Sequence, residues 1–265
     1  MHPMLNTAIT AARKAGNIIA RSVDRIDSLT ITSKAQNDFV TEVDQKAEMT
    51  IIEIISKAYP SHSFLGEETG RSGDSEYLWI IDPLDGTTNF LHGFPQFAVS
   101  IALEHKGEIT QGVIYDPINQ DLFTASKGDG AQLNNRRLRV TGRKSLQGAL
   151  LGTGFPFKQQ QHLDVYLETF KALFPDTAGI RRPGSASLDL AYLAAGRLDG
   201  FWEIGLSPWD IAAGVLLVKE AGGMVGDFSG GDEYLKTGNI IAGNPYVYED
   251  IVKRLQPLLP EELRK

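Results

Sequence analysis

Cysteine is absent from the 265 residues, which excludes disulfides, thiolate zinc sites, iron–sulfur clusters and cysteine nucleophiles. Any metal must be held by oxygen or imidazole. The five histidines, His2, His62, His92, His105 and His162, show no HExxH-type spacing, which argues against a zinc hydrolase and leaves them as surface or structural groups. A GxxxxGK phosphate loop and a GxSxG nucleophile elbow are missing too. Positive charge is in deficit, with a formal net charge of −7. Nucleic acid would need clustered Lys and Arg, and the densest basic run, NNRRLRVTGRK at 134–144, reads as the solvated face of a hairpin. No apolar stretch reaches the roughly 20 residues of a membrane span. The N-terminal MHPMLNTAITAARKAG is interrupted by Arg13 and Lys14 instead of opening as a signal peptide. The expected compartment is the cytoplasm, with no membrane association and no nucleic-acid binding indicated, although a macromolecular partner is left open.

What is present is a regular alternation of patterns. Leu5, Ala8, Ile9, Ala12, Ala15 and Ile19 recur at helical spacing, as do Val43, Ala47, Ile51, Ile54, Ile55 and Ala58 after a candidate N-cap at Thr41. Short apolar runs follow, SFLG and YLWIID, each stopping at acidic residues, Glu67-Glu68 and Asp82. Between Phe97 and Val140 the runs AVSIALE, ITQGVIY, DLFTA and AQL, separated by Gly-, Asp- and Pro-containing turns, predict an antiparallel meander. The second half alternates instead. Strands are expected near 149–153, 199–204, 224–228 and 240–242, and helices near 163–173, 188–195, 209–221 and 246–258. The order suggests an α+β half, 1–145, feeding an α/β half, 146–265, layered into one compact unit.

Chemistry concentrates on Asp82-Pro83-Leu84-Asp85-Gly86-Thr87-Thr88-Asn89-Phe90. Pro83 is expected to stop the strand, Gly86 to permit close backbone approach, and Thr87-Thr88-Asn89 to start a helix whose free N–H groups face the same point as the carboxylates. Helix N-termini attract phosphate and carboxylates attract hard cations, so the pair can hold a metal-bridged phosphate. Asp-Pro and Asp-Gly are singly ordinary turn dipeptides, but the nine-residue string is far more specific. Carboxylates converging on one cleft would repel a phosphate dianion unless divalent cations reversed the sign.

The string DPLDGTTNF, with GEET (66–69) before it and PWDIAAG (208–214) after it, resembles the inositol monophosphatase family. NDFVTEVD (37–44), FPQFAVSIAL, GSASLDLAYLAAGRLDGFWEIG and EAGG follow in family order over nearly the whole chain, and the opening MHPMLN is like that of bacterial members. The resemblance implies an α+β fold, a layered αβαβα sandwich. It also implies hydrolysis of myo-inositol monophosphate by in-line attack of metal-activated water, with no covalent phosphoenzyme. Glu67, Asp82 and the carbonyl of Leu84 would bind one Mg²⁺; Asp82, Asp85 and Asp210 would bind a second, and Glu67 would touch a third. Thr87 with Glu67 would orient the water, and the amides of Gly86 and Thr87 would hold phosphate oxygens. Glu203 and Gly184-Ser185-Ala186, with Asp85, would bind substrate hydroxyls. Lys34, Asp44 and Glu68 would stand behind the metals.

Local readings compete for some of these residues. Asp44 lies three residues after Thr41, as in a capping box, and Asp210 sits in a first helical turn where an acid complements the dipole. The motif does not separate inositol phosphates from the substrates of sister phosphatases, which are fructose 1,6-bisphosphate, a 3′-phosphonucleotide or histidinol phosphate. A regulatory role in binding a macromolecule, with phosphatase activity secondary, is a further alternative. By resemblance a homodimer and lithium sensitivity are expected.

Overall fold

A computed structural model of the chain describes residues 2–28, 31–35 and 38–264. Asn37 of the NDFVTEVD segment lies outside the described residues. The first half runs α1 (Pro3–Ser22), β1 (Ile31–Ala35), β2 (Asp38–Thr41), α2 (Glu42–Ala58), β3 (Ser63–Gly66), β4 (Gly70–Ser72), β5 (Tyr77–Asp85) and α3 (Thr87–Leu91). β6 (Ala98–His105), β7 (Glu108–Asp116), β8 (Asp121–Ser126), β9 (Gly130–Leu133) and β10 (Arg136–Arg137) complete it. The second half runs β11 (Leu150–Thr153), α4 (Leu163–Leu173), β12 (Gly179–Arg181), α5 (Ala186–Ala194), β13 (Gly200–Glu203) and α6 (Pro208–Glu220). It ends with β14 (Met224–Gly226), α7 (Tyr234–Thr237), β15 (Ile240–Gly243) and α8 (Pro245–Leu255).

Besides the β1–β2 hairpin there are two sheets. An eight-stranded sheet has the order β10-β9-β8-β7-β6-β5-β3-β4, and a five-stranded sheet the order β12-β11-β13-β15-β14. In the first, only β3 and β5 are parallel; the meander from β5 to β10 is antiparallel throughout. It turns into β10 through Asn134 and Asn135, both at positive φ (48° and 66°), as a tight two-residue hairpin requires.

Alternation along β5 explains the layering. Trp79 and Ile81 enter one apolar cluster with α1 and α2, while Leu78 and Ile80 enter another with α5 and α6. Both faces of the sheet are therefore buried, and YLWII reads as a continuous apolar run. Across the five-stranded sheet the same occurs: Phe201, Ile240 and Ala242 face α5 and α6, whereas Trp202 and Ile241 face α4 and α8. The result is α1/α2, sheet, α5/α6, sheet, α4/α8, an αβαβα sandwich of the expected α+β type. The middle helices are buried nearly all round, as apolar residues on every face demand. Of the described residues, no helix is long and apolar enough to cross a membrane.

The α5–α6 contact is close because Gly214 faces Leu190, whose Cβ would stand 2.6 Å from a Cβ added at 214. Gly214→Val should destabilise the fold by about 2–3 kcal/mol through overpacking, seen as a lower urea midpoint. At Gly142 an added Cβ meets nothing within 4 Å, so Gly142→Ala should leave the midpoint nearly unchanged.

Candidate metal and phosphate site

β5 delivers the site. Its ladder with β6 slips between Asp82, opposite Ser100, and Asp85, opposite Ala98, so three steps on one strand match two on the other. In a regular strand, residues three apart point to opposite faces. The extra residue brings Asp82 and Asp85 to the same one. Pro83 sits inside this bulge, where a missing N–H is tolerated. The strand therefore continues to Asp85 instead of stopping at Pro83 as the sequence suggested. Beyond it the chain turns through Gly86 at φ 93°, where a Cβ would stand 2.8 Å from the Gln96 carbonyl oxygen and 3.3 Å from that of Gly184. Only glycine fits such a corner. α3 begins at Thr87.

Asp85 is held from the second half of the chain. Its Oδ2 accepts hydrogen bonds from Ser185 Oγ (2.6 Å), Ser187 N (2.8 Å) and Ser187 Oγ (2.5 Å). Three donors fill that oxygen and leave Oδ1 for the cleft. Asn89 Nδ2 makes a second tie, donating to Gln96 O at 2.7 Å and lying within reach of Pro183 O and Gly184 O at 2.9 and 3.2 Å. Asp210 arrives on α6. Its Oδ2 caps the helix by accepting Ser207 N at 2.7 Å, and the start of α6 is tied to β6 by Ser100 Oγ donating to Trp209 O at 3.2 Å. The cap and the cleft thus share one side chain.

Asp82, Asp85 and Asp210 each place an oxygen within 4.8 Å of the others'. They line a cleft of about 480 Å³ with Glu67, Leu84, Gly86, Thr87, Thr88, Asn89, Gly184 and, unforeseen from sequence, His92, Phe157, Lys158 and Arg182. Such crowding shows in the acidities. Burial, then the charges of Glu67, Asp85 and Asp210, hold the Asp82 carboxyl well above the ordinary range. Burial also raises Asp85, against its serine donors. Asp210 is pushed up to about 7 by burial and by Asp85. An all-carboxylate donor set with one oxygen of Asp85 left over suits a hard divalent cation, which would relieve this repulsion.

The supporting residues divide unevenly. Asp44 is fully buried. One of its oxygens closes the capping box by accepting Thr41 N (2.8 Å) and Thr41 Oγ1 (2.5 Å), and the other lies 3.1 Å from Thr87 Oγ1. The Thr87 hydroxyl, which has one proton, also lies 3.0 Å from Leu84 O. Asp44 is both a cap and a support for Thr87. Glu67 lines the cleft but is outside the three-oxygen group. Glu68 is not among the lining residues; its amide, with that of Thr69, is held by the buried carboxylate of Glu48 at 3.0 and 2.8 Å. Gly66 makes room for that carboxylate, since a Cβ there would meet it at 2.5 Å. Glu48 thus fixes the GEET loop, and its signal in sequence was an acid on the buried face of α2 beside Ala47 and Ile51. Lys34 falls on β1, with its side chain outside the described part of the structure.

Glu203, Ser185 and Ala186 line a smaller cavity of about 120 Å³, which shares Asp85, Arg182, Gly184 and Asp210 with the cleft. Burial and the charge of Asp210 push Glu203 up to about 8, opposed by Arg182. Gly154 accommodates it, because a Cβ at 154 would stand 1.9 Å from Glu203 Oε1. Glu203, on the second sheet, and the aspartates of β5 meet across α5 and α6.

An acid-lined cleft that joins a strand bulge, a tight glycine corner and the start of a middle-layer helix marks a class of metal-assisted phosphate chemistry. The inositol monophosphatase family model matches residues 1–259, and the chain belongs to that family. It is 57% identical over 271 residues to a Pseudomonas aeruginosa protein named Nus factor SuhB, covering all of both chains. Among solved structures, the extragenic suppressor protein suhB from Bartonella henselae is 47% identical with a TM-score of 0.94, over 96% of this chain and 99% of that one. The inositol monophosphatase from Anabaena is 40% identical with a TM-score of 0.86, over 97% and 96%.

Raised carboxyl pKa values link pH, metal and stability. Without a cation, the folded protein keeps protons on Asp210 and Glu203 up to about pH 7 and 8, whereas the unfolded chain releases them near pH 4. Their contribution is complete below about pH 4 and is lost as pH rises through 7 and 8. The rise in Tm on adding millimolar Mg²⁺ should therefore be larger at about pH 8 than at about pH 5.5, as differential scanning fluorimetry with EDTA controls can measure.

Proposed function

We propose that the protein is a divalent-metal-dependent phosphatase releasing phosphate from myo-inositol monophosphate. The observation that carries this reading is the meeting of Asp82, Asp85 and Asp210 oxygens within 4.8 Å beside the first amides of α3. Residues Glu67, Asp82, Asp85, Asp210 and the Leu84 carbonyl would hold two Mg²⁺ ions, with Glu67 reaching a third. When bound, the ions neutralise the phosphate and stabilise the charge developing on the leaving oxygen. The Gly86 and Thr87 amides hold phosphate oxygens, since the opening amides of a helix have no carbonyl partner within it. Glu67 and Thr87 orient the attacking water, and the contact with Asp44 restrains the Thr87 hydroxyl. Catalysis on this reading is positioning and charge stabilisation.

The alcohol is received by the smaller cavity. Its wall carries Glu203 and Asp189, carboxyl groups that suit neutral hydroxyls, and its volume of about 120 Å³ is small, which supports a monophosphate over a bisphosphate. Homodimerisation, lithium sensitivity and a cytoplasmic location extend the same reading from the family resemblance. Purified protein should release phosphate from myo-inositol 1-phosphate with millimolar Mg²⁺ and lose this activity in EDTA. Absence of release over that range would refute the reading. Asp85→Asn should lower kcat at least about 100-fold with an unchanged circular dichroism spectrum; near-normal turnover would remove Asp85 from the metal set.

A second reading is supported by the name Nus factor carried by the 57% identical relative. On it, the protein also binds a macromolecular partner, and hydrolysis is secondary. Expression of Asp85→Asn in a strain lacking the gene separates the two. Full rescue of the deletion phenotype supports the binding role, and no rescue supports hydrolysis.

A further inference from the structure

The floor of the small cavity holds polar atoms that the scheme above leaves unused. Asp189, on the first turns of α5, is 1% exposed, and among the described residues its Oδ1 has no hydrogen-bond partner. Arg182 lines the same cavity, and its Nε–H is likewise buried without a partner. The Arg182 guanidinium lies over Phe155 and Phe157, 5.0 and 4.7 Å from the ring centroids, so its position is set by stacking. Burial and then the charges of Glu203 and Asp85 hold the Asp189 carboxyl well above the ordinary range, against Arg182.

A buried carboxyl oxygen and a buried N–H without partners are costly. The cost is recovered if a ligand supplies both a donor and an acceptor at that depth. A hydroxyl group is the smallest unit that does so. The remaining wall, Thr153, Gly154, Ser185, Ala186, Glu203 and Leu206, leaves about 120 Å³, the scale of a few carbon–hydroxyl units. Glu203, Asp189 and Arg182 all line this space.

We propose that Asp189, on the same cavity wall as Arg182, is a specificity-determining residue that hydrogen-bonds a hydroxyl of the leaving alcohol remote from the phosphate, selecting ring polyol phosphates over short-chain ones. This rests on the phosphatase reading. A site built to pair a hydroxyl discriminates strongly against a substrate that leaves its polar groups unpaired. Glycerol 2-phosphate, whose alcohol has three carbons, places the same phosphate on the metals without reaching the floor.

The test compares kcat/KM for myo-inositol 1-phosphate and glycerol 2-phosphate in the full-length protein with Mg²⁺. In Asp189→Leu, the inositol-to-glycerol ratio should fall about tenfold or more, with the loss carried by KM. Asp189→Asn, which keeps an acceptor in place, should recover at least half of that loss on a logarithmic scale. A ratio within about twofold of wild type in Asp189→Leu overturns the proposal, because a merely structural role lowers both substrates together. If Asp189→Leu shows no cooperative melt, Asp189→Ala, which also removes the acceptor, is judged in its place: a ratio lowered about threefold or more supports the proposal, and a smaller change overturns it. Wild-type protein that hydrolysed neither phosphate would instead refute the phosphatase reading.

Discussion

Three carboxyl groups from two distant parts of a chain do not stay within 4.8 Å of one another unless something else holds them. Mutual repulsion and lost hydration both act to splay them or to protonate them. Each of the three is anchored by neighbours. Asp82 accepts the Leu84 amide, Asp85 accepts two serine hydroxyls and an amide from the start of α5, and Asp210 accepts the Ser207 amide at its own helix cap. In the Asp85 and Asp210 carboxyls, Oδ2 is committed to structure, and both residues also line the cleft.

That arrangement accounts for the layer order. α5 and α6 lie between the sheets, so their N-termini reach β5 and β6 on one side while the chain leading into them comes from the five-stranded sheet on the other. Small residues make the approach possible. Gly86 sits against Gln96 O and Gly184 O, Gly214 against Leu190, and Gly154 against Glu203. Between the two halves, Gly86 sits against Gly184 O and Gly112 against Ala213 O, beside a shared core of large side chains that includes Ile114, Phe123, Leu188 and Leu190.

The fold was legible wherever burial imposes a period. α1, α2, the meander and α4 were readable because each shows apolar residues at 3.6- or 2-residue spacing, and α4 occupies 163–173 as read. The β1–β2 hairpin, β4 and β12 are short and mostly polar, with no period to read. At the site, the motif string marked acids that meet in the cleft, and it misled at Pro83, since a bulge and a strand end look alike in one sequence. For Asp44 and Asp210 cap and cleft are not exclusive, because a carboxylate has two oxygens: each caps its helix, while Asp44 also meets Thr87 and Asp210 also lines the cleft. Glu48, Asn89, Gly154 and the cleft residues His92, Lys158 and Arg182 act through contacts distant in sequence. Apart from Glu48, an acid on the apolar face of α2, no local pattern carries that information.

Chemistry and selectivity are separable in this architecture. Asp82, Asp85 and the Gly86 corner belong to a bulge locked between β6 and α5, where any change disturbs the acid cluster. Glu203, Gly154, Arg182 and Asp189 belong to the second half and line a cavity that meets the cleft only at Asp85, Arg182, Gly184 and Asp210. On the phosphatase reading, side chains on that wall would alter which alcohol fits while the bulge that carries Asp82 and Asp85 stays in place. The same metal chemistry would then serve different phosphorylated alcohols, with the choice made by a few buried polar atoms whose hydrogen bonds the substrate completes.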